Sequence, residues 1–255
     1  MSPPFLIAQL TDPHIGADWG GTDPVARLAA AVSSVAAMRP PPDVVLLTGD
    51  LADHGADAEY EQLRELLAPL KAPLQVLAGN HDDRATLRRQ FDLPGVDDDP
   101  VQYSVDLGPL RLVVVDSTRP GHDDGELDAR RLAWLDAELA AAPDTPTLVA
   151  MHHPPMSIGI PAWDDLGLPA DDQRALGEVI GRHRQVRRIV AGHVHRGIAA
   201  ELAGCSVLAV ASTFVQARPD FYADAGDIEL VPEPAAFAVH AVVDGQLVSH
   251  IHPVD

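Results

Sequence analysis

Residues 5–14 read FLIAQLTDPH, and residues 43–50 read DVVLLTGD. In both, a short apolar run stops at a cluster of Asp, His or Gly, the pattern of a buried strand that ends in a turn. Between them, residues 24–38 place Val25, Leu28, Ala29, Val32 and Val35 at helical spacing. Pro24 suits a first helical turn. Strand, helix and strand in that order predict parallel strands covered by helices.

The same grammar continues along the chain. A helix is expected over 56–67, with Tyr60, Leu63, Leu66 and Leu67 on one face, then a strand over 74–78 and a short helix over 83–91. Strands over 102–107 and 110–116 meet across Gly108-Pro109, a hairpin signal. A helix over 126–142 carries Leu127, Leu132, Leu135 and Leu139 in register. A strand over 147–151, a helix over 170–182 and a strand over 186–191 follow. Strands alone close the chain, over 198–202, 206–211, 236–243 and 246–251, the last two joined by a two-residue Asp244-Gly245 turn. Stretches 157–169 and 216–234 read as long loops, which are usually functional. One domain over 1–255 is the simplest partition.

Composition narrows the function. The 255 residues carry 38 acids against 18 bases, a net charge of −20. Such a field repels duplex nucleic acid and anionic lipid, so neither is expected as a partner. A site that handles phosphate would need a local positive source such as a metal. No apolar run approaches the roughly 18 residues of a membrane helix, so no membrane insertion is expected. A lone Cys205 excludes an internal disulfide framework. Met1-Ser2-Pro3-Pro4 lacks a basic leader pattern, which makes a reducing cytoplasm the expected location.

The chemistry gathers just past the strands. Asp12 and His14 follow the first strand, Gly49-Asp50 the second, Gly79-Asn80-His81-Asp82 the third, His152-His153 the strand over 147–151, and Gly192-His193-Val194-His195 the strand over 186–191. Ligands in open α/β sheets bind beyond the carboxyl ends of strands, so parallel strands would bring all five clusters to one edge. A mixed set of carboxylate, amide and imidazole has too many ligands for one tetrahedral zinc. It suits two borderline metals about 3.5–4 Å apart, with an Asp carboxylate between them. Each cluster alone has a bland reading, as a turn or a strand end; the five in order do not. His153 is expected to point away from His152, into a contact that supports the site or into core packing, and Asp116 to stand behind the site. Trp163 and Phe214 could stack on a base or anchor local packing, and His54, Arg84, Arg119 and His122 could reach the rim.

The order D-x-H, GD, GNHD, H, GHxH resembles the calcineurin-like metallophosphoesterase superfamily, and the motifs run from Asp12 to His195. GNHDDRA at 79–85, DSTRPGH at 116–122 followed by GEL at 125–127, and MHHPP at 151–155 are most similar to the bacterial class III cyclic nucleotide phosphodiesterases and the glycerophosphodiesterases of the same branch. The resemblance implies an α/β fold, a four-layer αββα sandwich of two mixed sheets flanked by helices. It implies two divalent ions (Mn, Fe, Co or Zn), one on Asp12, His14 and His195, the other on Asn80, His152 and His193, with Asp50 between them. His81 would face the phosphoryl group and Asp53 would orient His81. The reaction implied is in-line attack of a metal-bridging hydroxide on a small phosphodiester, a 3′,5′-cyclic nucleotide first, a glycerophosphodiester second. A phosphomonoesterase and a non-catalytic phosphate-binding protein are the competing readings. Residues 49–55 read GDLADHG where many phosphoprotein phosphatases of the superfamily have GDxVDRG. His54 therefore replaces a bidentate phosphate donor. With one lysine in the chain, Lys71, a singly charged diester suits the site better than a monoester. The resemblance also admits a homodimer, which nothing in the periodicity requires.

Overall fold

The computed structural model describes residues 3–224 and 226–254. The Met1-Ser2 start and Ala225 of the 216–234 loop lie outside them. Residues Phe5–Leu10 form β1, Pro24–Ala36 α1, Val44–Thr48 β2, Asp57–Leu67 α2, Leu74–Leu77 β3 and Arg84–Phe91 α3. Then come β4 (Tyr103–Asp106), β5 (Arg111–Val114), α4 (Ala129–Ala140), β6 (Thr147–Ala150), α5 (Pro161–Asp164), α6 (Ala170–Arg182) and β7 (Val186–Ala191). The chain closes with β8 (Ile198–Leu202), β9 (Cys205–Ala209), β10 (Gln216–Ala217), β11 (Leu230–Val231), β12 (Ala235–Val243) and β13 (Gln246–Val254).

One sheet has the order β13-β12-β1-β2-β3, the other β4-β5-β6-β7-β9-β8, and β10 pairs with β11 apart from both. β1, β2 and β3 are parallel, as are β5, β6, β7 and β9, while the hairpin strands add antiparallel edges. Alternation along each strand serves two cores at once. Leu6, Ala8 and Leu10 of β1 face outward onto Leu28, Val32 and Val35 of α1 and Tyr60 and Leu63 of α2. Ile7 turns inward, with Val44, Leu46 and Leu77, against Leu112, Val114, Leu148, Ala150 and Val190 of the second sheet. The outer face of that sheet packs Val113, Val149, Ile189 and Val207 against Leu135, Leu139, Leu176 and Ile180. The result is helix, sheet, sheet, helix. Each fully buried leucine contributes roughly 1.5–3 kcal/mol.

Caps set the helix limits more sharply than periodicity does. The expected 126–142 helix begins only at Ala129, because the Asp128 carboxylate accepts from the Arg131 N–H at 2.8 Å. Glu126 instead donates its N–H to the Ser117 carbonyl. Asp23 caps α1 in the same way through the Val25 N–H. Such caps contribute about 1 kcal/mol each. The two long loops are not wholly irregular. The 157–169 stretch contains α5, and the 216–234 stretch contains β10 and β11, elements too short to leave a period in the sequence.

A buried polar link fixes the two sheets at the edge where the parallel strands end. The Gln9 amide donates to Thr48 Oγ1 at 2.9 Å and to the Ala191 carbonyl at 3.1 Å. Its carbonyl accepts from His240 Nε2 at 2.9 Å. The strand ends that precede Asp50 and His193 are thereby held together.

Candidate metal centre

All five clusters meet at that edge. The turns that carry them are tight: Asp12, His14, Asp50, His193 and His195 adopt left-handed backbone conformations, with φ between 44° and 70°. Non-glycine residues in this region cost of order 1–3 kcal/mol when bulky, less for Asp and Asn, and such strain clusters at functional sites. Hydrogen bonds hold the conformation. The Asp12 N–H donates to the Gly49 carbonyl and the His14 N–H to the Asp50 carbonyl. Ser212 Oγ donates to the Asp12 carbonyl at 2.7 Å. At Gly49 a φ of +94° requires glycine. At Gly79 the reason is space, since a Cβ would lie 2.2 Å from both the backbone N and Oδ1 of Asp50.

The side chains form two groups that share Asp50. His14 Nε2 and His195 Nε2 are 3.1 Å apart. Asn80 Oδ1 lies 3.0 Å from His152 Nε2 and 3.1 Å from His193 Nδ1. Asp50 Oδ2 sits between the groups, 3.5 Å from His14 Nε2 and 3.4 Å from His152 Nε2. Asp12 is fully buried and its carboxylate accepts from the His193 N–H.

The second nitrogen of each imidazole is committed to an acceptor. His14 Nδ1 donates to Asp53 Oδ1, His152 Nδ1 to the Thr48 carbonyl, His193 Nε2 to the Leu166 carbonyl and His195 Nδ1 to the Val215 carbonyl, all at 2.9–3.1 Å. This commits the outer nitrogen of each ring and leaves four inner nitrogens facing the centre, the arrangement that metal-binding imidazoles require. Burial pushes His195 down to about 3 and His193 well below the ordinary imidazole value, so both are neutral donors near pH 7. For Asp50, burial pulls upward, but His152, His14 and His81 outweigh it and hold the carboxyl well below its usual range. Against the downward pull of burial, the Asp50 and Asp12 carboxylates push His152 up to about 9, so in the metal-free protein a proton on its inner nitrogen supplies the positive charge that a cation would supply on binding. The residues present therefore fit divalent metals, and the mixed N/O donor set suits Mn, Fe, Co or Zn.

Other residues settle into supporting places. His153 does not point away: its ring lies 4.4 Å from that of His193, because β6 ends at Ala150 and its alternation stops there. Both His153 nitrogens are taken, Nδ1 by Ser117 Oγ and Nε2 by the Asp123 carbonyl, so no lone pair faces the centre. Asp53 serves two histidines. Its carboxylate receives His14, while its carbonyl, at 2.9 Å, receives His81 Nδ1; the carboxylate is 3.6 Å from that nitrogen. Asp116 pairs with the buried Arg84 at 2.9 Å. Phe214 is fully buried behind Trp19 and faces no solvent.

Two residues escaped the sequence reading. Asp82, the last residue of GNHD, accepts from the N–H groups of Leu51, Ala52 and Gly79 and from Tyr60 OH, at 2.8–3.2 Å. It ties the turn that carries Asp50 to the turn that carries Asn80, and its place in the motif was the signal. Trp19 donates Nε1–H to both oxygens of Asp53. A lone Trp in a Gly- and Asp-rich loop gave no signal.

Two cavities open on the centre and share Asn80 and His81. One, about 230 Å³, is polar and lined by His54, Asp83, Arg84, Thr118 and Arg119. The other, about 180 Å³, carries Trp19, Trp163, Leu166, Ile228 and Leu230 on its wall.

The family model described as calcineurin-like phosphoesterase matches residues 5–197, from the first strand through the last histidine of the centre. The chain belongs to the calcineurin-like phosphoesterase family. A probable cyclic nucleotide phosphodiesterase of Rhodococcus erythropolis is 36% identical over 220 residues, 83% of this chain and 71% of the relative. A probable glycerophosphodiester phosphodiesterase of Arcobacter nitrofigilis is 31% identical over 242 residues, 92% and 88% of the two chains. The crystal structure of a dimetal phosphatase from Danio rerio superposes with a TM-score of 0.75 at 18% identity, covering 99% of this chain and 97% of that one. This agreement supports the four-layer fold. No helix of this phosphoesterase among the described residues is long and apolar enough to cross a membrane.

Proposed function

We propose that this metal-dependent phosphodiester hydrolase acts on 3′,5′-cyclic nucleotides. In this reading Asp12, His14 and His195 hold one divalent ion, Asn80, His152 and His193 the other, and Asp50 both. The observation that carries the assignment is the set of inward-facing nitrogens and oxygens, gathered at 3.0–3.5 Å in two groups with the Asp50 carboxylate between. When bound, the two ions supply positive charge for the phosphate oxygens and an activated water for in-line attack. The chain's own residues do the rest. His14, His152, His193 and His195 are kept in the ligating tautomer by their outer partners. His81 is fixed by the Asp53 carbonyl through Nδ1, and its backbone N–H donates to Asp50 Oδ1 at 3.0 Å. Its Nε2 is thus the nitrogen left for the cleft, where it would stabilise or protonate the departing ester oxygen, an effect typically worth about 10²–10⁴-fold.

The singly charged diester fits a cleft whose arginines are already paired, Arg84 with Asp116 and Arg119 with Asp124. A cytoplasmic location belongs to the same proposal. The test is turnover of 3′,5′-cyclic AMP and glycerophosphocholine side by side, with manganese-reconstituted protein and Asn80→Ala as control. A preference for cyclic AMP of at least about tenfold, some 1.4 kcal/mol of transition-state discrimination, supports the nucleotide reading. The opposite preference moves the assignment to glycerophosphodiesters. No turnover of either by protein with two metals per chain removes both.

A further inference from the structure

We infer that the apolar cavity beside the metal centre is a nucleobase site that grips a base by its faces and leaves its edges unread. The inference rests on the cyclic nucleotide reading above and goes on to say what selects the nucleotide.

The cavity shares His14, Asp50, Asn80, His193 and His195 with the centre. A group esterified to a phosphate held there must therefore enter this cavity or its polar neighbour. The polar cavity is a poor place for a base, because its basic groups are spoken for: Arg84 by Asp116, Arg119 by Asp124, and His54 by Glu59 at 2.7 Å. A base placed there would have to break ion pairs and lose water without apolar contact in return.

The apolar wall offers the reverse. Trp19 is held rigidly, by Nε1–H donation to Asp53 at 3.1 and 3.2 Å and by edge-on contacts with Phe214 and His14, each at 5.0 Å between centroids. Trp163 is only 6% exposed, stacked on His195 at 6.0 Å and edge-on to His193 at 5.7 Å. Ile228 comes from the loop leading into β11 and Leu230 from β11 itself, which pairs with β10 through Gln216–Val231 and Ala217–Leu230. The Ala217 N–H donates to the His195 carbonyl at 3.1 Å, so this arm is tied to a candidate ligand. Preorganised aromatic and aliphatic surfaces of this kind favour planar rings.

Edge recognition needs donors and acceptors, and the wall nearly lacks them. Among the described lining residues, the Asp123 carboxylate and the indole N–H of Trp163 are the polar groups outside the metal-centre set and His81, the Trp19 N–H being committed to Asp53. A carboxylate accepts from an exocyclic amine, and adenine and guanine both carry one. The wall should therefore separate nucleotides from base-free diesters and hardly separate the two purines.

The experiment compares kcat/KM for cyclic AMP, cyclic GMP and base-free ribose 3′,5′-cyclic phosphate on the dimetal protein. The two nucleotides are expected within about threefold of each other, and the base-free ester at least about tenfold below them. In the double variant Ile228→Ser/Leu230→Ser, with two metals per chain confirmed, the ratio of cyclic AMP to base-free ester should collapse toward one. A base-free ester cleaved as well as cyclic AMP overturns the base site while the phosphodiesterase reading stands. So does a ratio unchanged in the variant. A preference between the purines above about tenfold overturns the face-reading claim. No turnover of any of the three defeats the cyclic nucleotide reading itself, and the base site with it.

Discussion

At one end of the sandwich the parallel strands run out into Asp12, His14, Asp50, His193 and His195, every one with positive φ. At the other end the chain also turns sharply, but at Gly108, Asp244 and Gly245, where glycine or a short polar residue adopts the same region at small cost. That second end is closed by Leu110, Leu148, Val242 and Leu247 around a cavity of only about 40 Å³. The site end stacks buried imidazoles and carboxylates against one another instead. One end is arranged for stability and the other for ligation, with the strain placed where a bound cation would offset it.

The largest effects should separate the two ends cleanly. Asp50→Asn is expected to lower kcat/KM by at least about 10³-fold and to drop metal content below two per chain, since the carboxylate proposed to hold both ions is lost. Leu148→Ala, at a position with no exposure between the sheets, should cost about 2–5 kcal/mol of unfolding free energy. Its kcat/KM should stay within about twofold where the variant is folded. Metal analysis and urea denaturation on both proteins check the pair. A Leu148 variant that lost metal without losing stability would break the division.

A smaller effect tests how the site end is held. Asp82→Asn replaces an acceptor-only group with one that presents donors to the N–H groups of Leu51, Ala52 and Gly79. Metal affinity should fall about 10–100-fold, as for other groups that position ligands, while the denaturation midpoint moves little. Competition with a chelator reads the affinity. An equal loss in both quantities would make Asp82 a general packing residue and not a positioning one.

Much of this division was legible in the sequence. The strand over 5–10 and the helix over 170–182 match their bounds, because apolar alternation and helical spacing report burial directly. The convergence of the five clusters followed from parallel strands alone. What stayed hidden depended on contacts between distant segments. Nothing local marks Trp19 as the partner of Asp53, or Ile228 and Leu230 as a cleft wall. The His153 ring turns toward His193 because its strand ends three residues earlier, at Ala150. The Asp53 carbonyl, and not its carboxylate, holds His81, since backbone groups carry no sequence identity.

Between the ends, His240 links both sheets through Gln9, with Ser249 Oγ on its other nitrogen at 2.6 Å and Arg188 hydrogen-bonded to that same hydroxyl. Burial, with the Arg188 charge beside it, pushes this imidazole down to about 3. The unfolded chain binds its proton near the ordinary value of about 6.5. The stabilisation is therefore complete above pH 6.5 and is lost as pH falls toward 3, on the order of a few kcal/mol in all. His240→Gln should be less stable at pH 7 and should flatten that decline. Urea midpoints at pH 7 and pH 5 check it, and parallel slopes for variant and wild type would assign the acid sensitivity to the buried histidines of the site end.

The smallest effect belongs to the hairpin at the stable end. Gly245 sits at φ 76° with open space where a Cβ would lie, so Gly245→Ala meets backbone strain and no clash. The expected cost is about 1 kcal/mol, with kcat/KM unchanged. That figure calibrates what a left-handed residue costs this fold where no ligation can offset it. The five left-handed residues of the metal centre should then show a comparable burden in the metal-free protein, visible as a rise in thermal midpoint on adding manganese that exceeds the rise in Asn80→Ala. If manganese stabilised both proteins equally, the strain at the site end would have no link to the metal.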